Sequence, residues 1–140
     1  MSSCPFCSIV AAEAPAHRLY EDDRTLAFLD VAPATRGHAL VVPKAHHETL
    51  TDMPESLAGA TYRTAHRVAT AVESCMGLDG SNVLQANGEA AGQDVWHAHV
   101  HVIPRYEDDS VDIGWPAGAT DDRDRREIAA TIRNEVASRS

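Results

Sequence analysis

Three short apolar stretches in the first third of the chain are bounded by residues that favour turns. They cover residues 17–21, 25–30 and 38–42. Runs of this length between turn-forming residues predict β-strands, and the polar segment Asp22-Asp23-Arg24 between the first two predicts a hairpin. Pro43 is expected to end the third strand because proline has no amide proton to donate. His17 and His38 are interpreted as ordinary strand residues.

The clearest helical pattern runs from Pro54 to Met76. Apolar or small residues recur there at intervals of three and four, which places them on one face of a helix. These residues are Leu57, Thr61, Ala65, Val68, Ala69, Val72 and Met76. Cys75 lies beside the stripe and is predicted to be a buried, unreactive thiol. A last helix is predicted over residues 122–137, where acidic residues at the start suit the positive end of the helix dipole.

Two more strands are predicted over residues 82–87 and 95–103. The second alternates strictly, so one face carries His97, His99 and His101 while the other carries Ala98, Val100 and Val102. The histidines would form a row of imidazoles, and the apolar face would pack beneath a helix. The pattern predicts a single α+β domain over residues 1–140, with about five antiparallel strands and helices on one side. Residues 106–140 would form a C-terminal extension that ends in a helix.

The charge balance argues against nucleic acid as a partner. Twelve basic and 21 acidic residues give a formal charge of -9, and so acidic a surface repels nucleic acids. The chain contains no run of roughly 18 to 20 apolar residues that could span a membrane. The amino terminus has neither a basic start nor an apolar stretch, so we expect no secretory signal and a cytoplasmic protein.

Three imidazoles in a row suit two kinds of chemistry. Neutral imidazole is a common metal ligand. One imidazole can also attack phosphorus while its neighbours donate hydrogen bonds to phosphate oxygens. A solvated polar strand is a third interpretation. The preceding loop, residues 87–94, supplies glycines and side-chain amides, a combination that favours anion binding.

A second candidate site begins at the amino terminus, where Cys4 and Cys7 are separated by two residues and a helical turn is predicted over residues 8–12. Such a pair is half of a zinc site or a redox pair. The strand that precedes a thioredoxin-like redox pair is missing here. A complete zinc site needs two further ligands.

The segment Ala91–Pro104 resembles the signature of the histidine triad family of nucleotide hydrolases and transferases. Cys4-Pro5-Phe6-Cys7, Phe28-Leu29-Asp30 and Val42-Pro43-Lys44-Ala45-His46 match other marks of that family in the same order. The resemblance covers about residues 4–105 and implies the histidine triad fold.

The resemblance also implies roles for individual residues. His99 matches the nucleophile, which would form a covalent nucleotidyl-imidazole, and its second ring nitrogen is expected to donate to a backbone carbonyl. His101 matches a residue that donates a hydrogen bond to the phosphate. Gln93 matches a contact on the leaving-group side of the phosphate, and Asn87 matches a phosphate contact from the neighbouring strand. Asp30 matches the residue that holds the ribose hydroxyls. The apolar positions around a purine base are Ile9, Phe28 and Val31.

Two further implications concern metal and leaving group. The zinc-containing bacterial branch is similar in a Cys, Cys, His, His set, which implies a structural Zn²⁺ held by Cys4, Cys7, His46 and His97, with His47 as the alternative to His46. Eukaryotic members often carry Ser or Thr where this chain has Asp94. A carboxylate repels phosphate, so Asp94 is expected to contribute its backbone amide and not its side chain.

The implied function is cleavage of the α-phosphate bond of a purine nucleotide derivative. Nucleoside phosphoramidates and aminoacyl-adenylate-like compounds are the expected substrates, and dinucleoside polyphosphates are the alternative. A zinc-stabilised nucleotide-binding or sensing module without turnover is the alternative of another class. A metal-storage or redox protein would instead hold metal on the triad itself. The family further implies a homodimer with one continuous ten-stranded sheet, joined through the long helix and the strand that begins at Asn82.

Overall fold

The computed structural model describes residues 3–139, so the ends of the predicted 1–140 domain, residues 1–2 and 140, lie outside the described range. Five strands form one antiparallel sheet in the order β1-β2-β3-β5-β4. The strands are β1 Arg18–Glu21, β2 Thr25–Leu29, β3 Ala39–Pro43, β4 Gly80–Leu84 and β5 Val100–Arg105. The helices are α1 Pro5–Val10, α2 Glu55–Cys75 and α3 Asp122–Arg139, with 3-10 turns at Leu50–Asp52 and Glu89–Ala91. The predicted α+β class is confirmed.

Helix α2 covers one face of the sheet. Its predicted stripe packs against small apolar residues of β2, β3 and β5, since burying such a stripe is what stabilises a surface helix. This first core comprises Ala27, Ala39, Val41, Ala65, Val68, Val72, Val100 and Val102. The hydroxyls of Thr25 and Thr64 lie 2.7 Å apart within the same interface, which satisfies two buried polar groups. The prediction for Cys75 is wrong: it lies beyond the packed face and is exposed.

The opposite face of the sheet is covered by α1. Phe6 from that helix joins Leu26, Phe28, Leu40 and Val42 in a second core. Because both faces are covered, every residue of β3 is buried. This second core is the floor on which the histidines lie.

The predicted limits of the last two strands are wrong. β5 begins at Val100 and not at residue 95, because its pairing with β3 starts at Val41 opposite Val100. Before that point the chain bends away, and the amide of Ala98 donates to the carbonyl of His47 at 2.7 Å. β4 likewise ends at Leu84, opposite His101. The two-faced alternation nevertheless extends to Ala98, which packs with Met53 and Leu57 beneath α2.

Helix α3 forms as predicted but buries none of its residues. Its apolar stripe, Ile128, Ile132 and Val136, is 46 to 64% exposed within the single chain. In the described part of the chain, residues 3–139, no helix is both long enough and apolar enough to cross a bilayer.

Candidate active site

His99 lies just before β5 with only 4% of its side chain exposed. Its Nδ1 lies 2.8 Å from the carbonyl oxygen of His97. A carbonyl can only accept, so Nδ1 carries the proton and Nε2 keeps a free lone pair. The expected backbone acceptor is therefore present, and His99 has the tautomer that a nucleophilic imidazole requires.

His101 is oriented by a histidine of the neighbouring strand. The amide of Ala34 donates to Nδ1 of His38 at 2.9 Å, which leaves the proton of His38 on Nε2. That Nε2 lies 2.9 Å from Nδ1 of His101 and donates to it. The chain of donors therefore places the proton of His101 on its Nε2. The ring centroids of His99 and His101 are 4.9 Å apart, so this donor lies next to His99.

Burial keeps both members of this histidine pair neutral. Burial, together with the nearby His99 and His38, lowers the pKa of His101 to about 4, against the opposing effect of the Asp30 and Asp94 carboxylates. Burial also lowers the pKa of His38, partly offset by the carboxylate of Asp30. Neutral rings are required for the donor chain because a protonated His38 could not accept from Ala34.

The first histidine of the triad faces the cysteines. His97 is fully buried, and its Nε2 donates to the carbonyl of Pro43 at 2.7 Å, so its Nδ1 keeps a lone pair. That Nδ1 lies 3.4 Å from Sγ of Cys4 and 3.5 Å from Sγ of Cys7. The Nδ1 of His46 lies 3.3 Å from the sulfur of Cys7. The four ligand atoms all lie within 4.8 Å of one another.

This cluster fits a tetrahedral metal ion. Zinc bonds of about 2.3 Å to sulfur and about 2.0 Å to nitrogen place sulfur and nitrogen about 3.5 Å apart in a tetrahedron, which matches the observed distances. The carbonyl of Pro43 also fixes the ligating tautomer of His97, as a second-shell acceptor commonly does. Of the two alternatives, His46 and not His47 belongs to the cluster.

A buried glutamine holds the loop before β5 in place. Gln93 is 6% exposed; its Oε1 accepts from the amide of Gly88, and its Nε2 donates to the carbonyls of Glu48 and Val95. Gly88 and Gly92 have φ values of 94° and 89°, a region that favours glycine. Asn87 is exposed, and its Oδ1 accepts from the amide of Leu50. The side chain of Gln93 thus supports the loop from within.

Asp94 directs its carboxylate toward His99. Its Oδ1 lies 3.5 Å from Nε2 of His99, while 79% of the Asp94 side chain is exposed. This position differs from the expectation that only the backbone amide would serve the site.

The predicted nucleotide contacts occupy different positions around the triad. Asp30 Oδ2 lies 3.5 Å from Nε2 of His38, which brings it beside His101. Phe28 is buried under Phe6, whose ring is 5.1 Å from that of His99. Ile9 packs against the same core, whereas Val31 is 90% exposed.

These features lie within a region that matches a known family. The model of the HIT domain matches residues 11–108, which span most of the chain and include His99 and His101. The chain belongs to the histidine triad (HIT) family.

Known HIT proteins extend the likeness over nearly the whole chain. A HIT family protein of Bacillus subtilis has a crystal structure with a TM-score of 0.90, 37% identity and coverage of 95% of this chain and 96% of that one. A zinc-bound histidine triad family protein from Mycobacterium smegmatis has a TM-score of 0.74 and 36% identity over 97% of both chains. The adenosine 5′-monophosphoramidase of Saccharomyces cerevisiae is 42% identical over 86% of this chain and 74% of its own length.

Two residues of this HIT site escape the sequence analysis. His38 is not an ordinary strand residue but the donor to His101, and Phe6 contacts the rings of His97 and His99. A signal for His38 does exist, because His38, Leu40 and Val42 alternate onto one face. That signal becomes useful only when β3 and β5 are known to be neighbours.

An apolar cavity is separate from this HIT site. It encloses about 550 Å³ between α2 and β1, on the face of the sheet opposite the histidines. None of its described lining residues is among the predicted site residues.

Proposed function

We propose that this HIT protein hydrolyses the α-phosphate bond of a purine nucleotide derivative, with a nucleoside phosphoramidate or an aminoacyl-adenylate-like compound as substrate. The free lone pair on Nε2 of His99, fixed by the bond from Nδ1 to the carbonyl of His97, carries this proposal. A family relative named adenosine 5′-monophosphoramidase supports the substrate class.

The reaction proceeds in two balanced displacements. The Nε2 lone pair forms a bond to the α-phosphorus while the bond to the leaving group breaks, and the leaving group departs with that electron pair and takes up a proton. Water then attacks the phosphorus, the bond to Nε2 breaks, and its electrons return to the ring. The water supplies one oxygen of the phosphate in the mononucleotide. It also releases a proton, which balances the proton that the leaving group took up.

Charge that develops on the non-bridging oxygens needs donors. The Nε2 proton of His101 is the first, and its direction is set by His38. The side-chain nitrogen of Asn87 is a second, since its oxygen is already bonded to Leu50. Gln93 contributes by holding the loop, and an exchange of its present bonds would let it contact the leaving-group side.

The nucleoside would lie along the second core. Asp30 can accept from both ribose hydroxyls, and Ile9 and Phe28 provide an apolar floor for a purine. Val31, at the exposed end of the same segment, would cover the base from the solvent side.

We further propose that Cys4, Cys7, His46 and His97 hold a structural Zn²⁺, which assigns the chain to the zinc-containing bacterial branch. Four protein ligands leave no position for a reacting water, so the ion would join the amino terminus to the catalytic strand. The zinc-bound mycobacterial relative supports this assignment. Cysteines that bind zinc instead of forming a disulfide would also suit a reducing, cytoplasmic location.

A homodimer completes the proposal. β4 is an edge strand, and an exposed edge favours pairing with a second copy into a ten-stranded sheet. Val83 on that edge is 46% exposed. Among the described residues, the buried Nε2 of Gln85, next to the end of β4, has no hydrogen-bond partner, which a second copy could supply.

Intact-mass spectrometry with and without His99→Ala tests the activity. The chain mixed with adenosine 5′-phosphoramidate should gain one adenylyl group transiently and release AMP, and the variant should do neither. Nucleotide binding without an adduct or AMP release would favour the sensing module. Faster release from a diadenosine polyphosphate would favour the alternative substrate.

A further inference from the structure

The apolar cavity between α2 and β1 has a buried floor and an exposed rim. Its volume is about 550 Å³, and small-molecule sites in proteins commonly enclose about 300 to 1,000 Å³. Val68 and Val72 of α2 are buried and form its floor, while Leu19 of β1 is exposed and lies at its rim. An apolar group that entered the cavity would be removed from water, which is favourable.

One wall of the cavity is the reverse side of two segments that carry predicted site residues. Leu29 and Gly37 line the cavity. The residues that follow them, Asp30 and His38, lie 3.5 Å apart on the opposite face, beside the histidine triad. The sheet therefore separates the cavity from the triad, and a molecule inside the cavity would not compete with a nucleotide.

Two arginines give the rim of the cavity a positive charge. Arg36 follows β2 and Arg67 belongs to α2; both line the cavity and both are exposed. Within residues 3–139, neither guanidinium group is paired with a carboxylate. Arg67 instead lies over the ring of Tyr20, 5.6 Å from its centroid, which holds its charge beside β1. Unpaired cations at the rim of an apolar cavity favour a ligand with an apolar body and an anionic end.

We propose that this cavity binds an amphipathic monoanion, a carboxylate with an unbranched apolar chain such as a medium-chain fatty acid. The apolar chain would lie against Val68 and Val72, and the carboxylate would remain at the rim beside Arg36 and Arg67. The inference does not depend on the proposed hydrolysis, because none of these residues takes part in it. Since both guanidinium groups are exposed, each should raise the affinity about threefold, and the two together about tenfold.

Isothermal titration calorimetry of the full chain with decanoate tests the inference. One molecule should bind per chain, and decan-1-ol, which lacks the charge, should bind about tenfold more weakly. The double variant Arg36→Gln, Arg67→Gln should lower the affinity for decanoate about tenfold and leave that for decan-1-ol unchanged. The matched control is Arg63→Gln, because Arg63 is an exposed arginine of the same helix that does not line this cavity. It should change neither affinity.

A second pair of variants locates the ligand. Ala71→Trp introduces an indole ring into the cavity from an exposed helix position and should abolish saturable decanoate binding. Ala130→Trp makes the same change at an exposed position of α3 and should bind decanoate as the wild type does. Bound decanoate should also slow the alkylation of Cys75 by iodoacetamide, because this exposed thiol lines the cavity. Peptide mass spectrometry reports Cys75 separately from the other two cysteines.

Several outcomes would overturn the inference. Equal affinities for decanoate and decan-1-ol would show that the arginines select no anion, and unchanged binding in Ala71→Trp would place the ligand elsewhere. An absence of saturable decanoate binding would also overturn it. In that case, alkylation of Cys75 that slows as the protein concentration rises would identify a second copy of the chain as the occupant of the cavity. The proposed hydrolysis is unaffected by each of these results, since AMP release tests it separately.

Discussion

Replacing His38 by leucine should impair catalysis without touching any atom that contacts substrate. His38 accepts from Ala34 and donates to Nδ1 of His101, so leucine removes both bonds and leaves His101 free to turn or to move its proton. A neutral hydrogen bond of this type contributes about 1 to 1.5 kcal/mol. We therefore expect kcat to fall about tenfold with little change in KM, because the lost interaction acts on the transition state.

His38→Gln provides the matched control. A glutamine side-chain nitrogen reaches nearly the position of the histidine Nε2 and can still donate to His101. We expect this variant to recover most of kcat. Nitrogen chemical shifts of His101 should report a single Nε2-protonated tautomer in the wild type and in His38→Gln, and a mixture in His38→Leu. Equal activity of both variants, or an unchanged His101 signal in His38→Leu, would refute the donor chain.

Three further predictions concern pH, metal and assembly. The pKa of His101 is lowered to about 4 from the ordinary 6.5, so its contribution to the free energy of unfolding is complete above pH 6.5 and is lost as the pH falls toward 4. Urea unfolding should therefore show a decrease in that free energy of about 2 kcal/mol between pH 7.5 and 4.5, after allowance for partial exposure. A similar decrease in His101→Asn would contradict this. Cys7→Ser should lower zinc content from one ion per chain and reduce Tm, while His99→Ala should retain the ion; metal loss in the latter would place the ion on the triad. Val83→Arg should convert the dimer to a monomer, as measured by light scattering. A dimer that persists in this variant would exclude the β4 edge as the dimer interface.

Alternation in the sequence predicts the two faces around β5 because it is a local property. Ala98, Val100 and Val102 pack under α2, and His99 lies over the second core, even though residue 99 precedes the strand. The strand's extent is not local. It depends on where β3 offers partners, and those partners begin at Val41 opposite Val100.

The missed role of His38 has the same cause. His38 and His101 are 63 positions apart, and their contact exists only because β3 and β5 are neighbours in the sheet. The error for Cys75 has a different cause. A residue beside an apolar stripe is buried only if a neighbouring element covers it, and nothing in the described part of the chain covers the end of α2 at that point.

His97 links the cysteine cluster to His99 through its imidazole ring and its backbone carbonyl. Its ring belongs to the cysteine cluster, while its carbonyl fixes the tautomer of His99 two residues later. Any change that reorients the His97 backbone therefore alters the direction in which the His99 lone pair points. A metal ion held by that ring would stabilise the orientation of His99 without contacting the substrate. The spacing of the first two histidines matters for this reason, because it places the proposed metal ligand and the proposed nucleophile on one face and lets the carbonyl of the first bond the ring of the second.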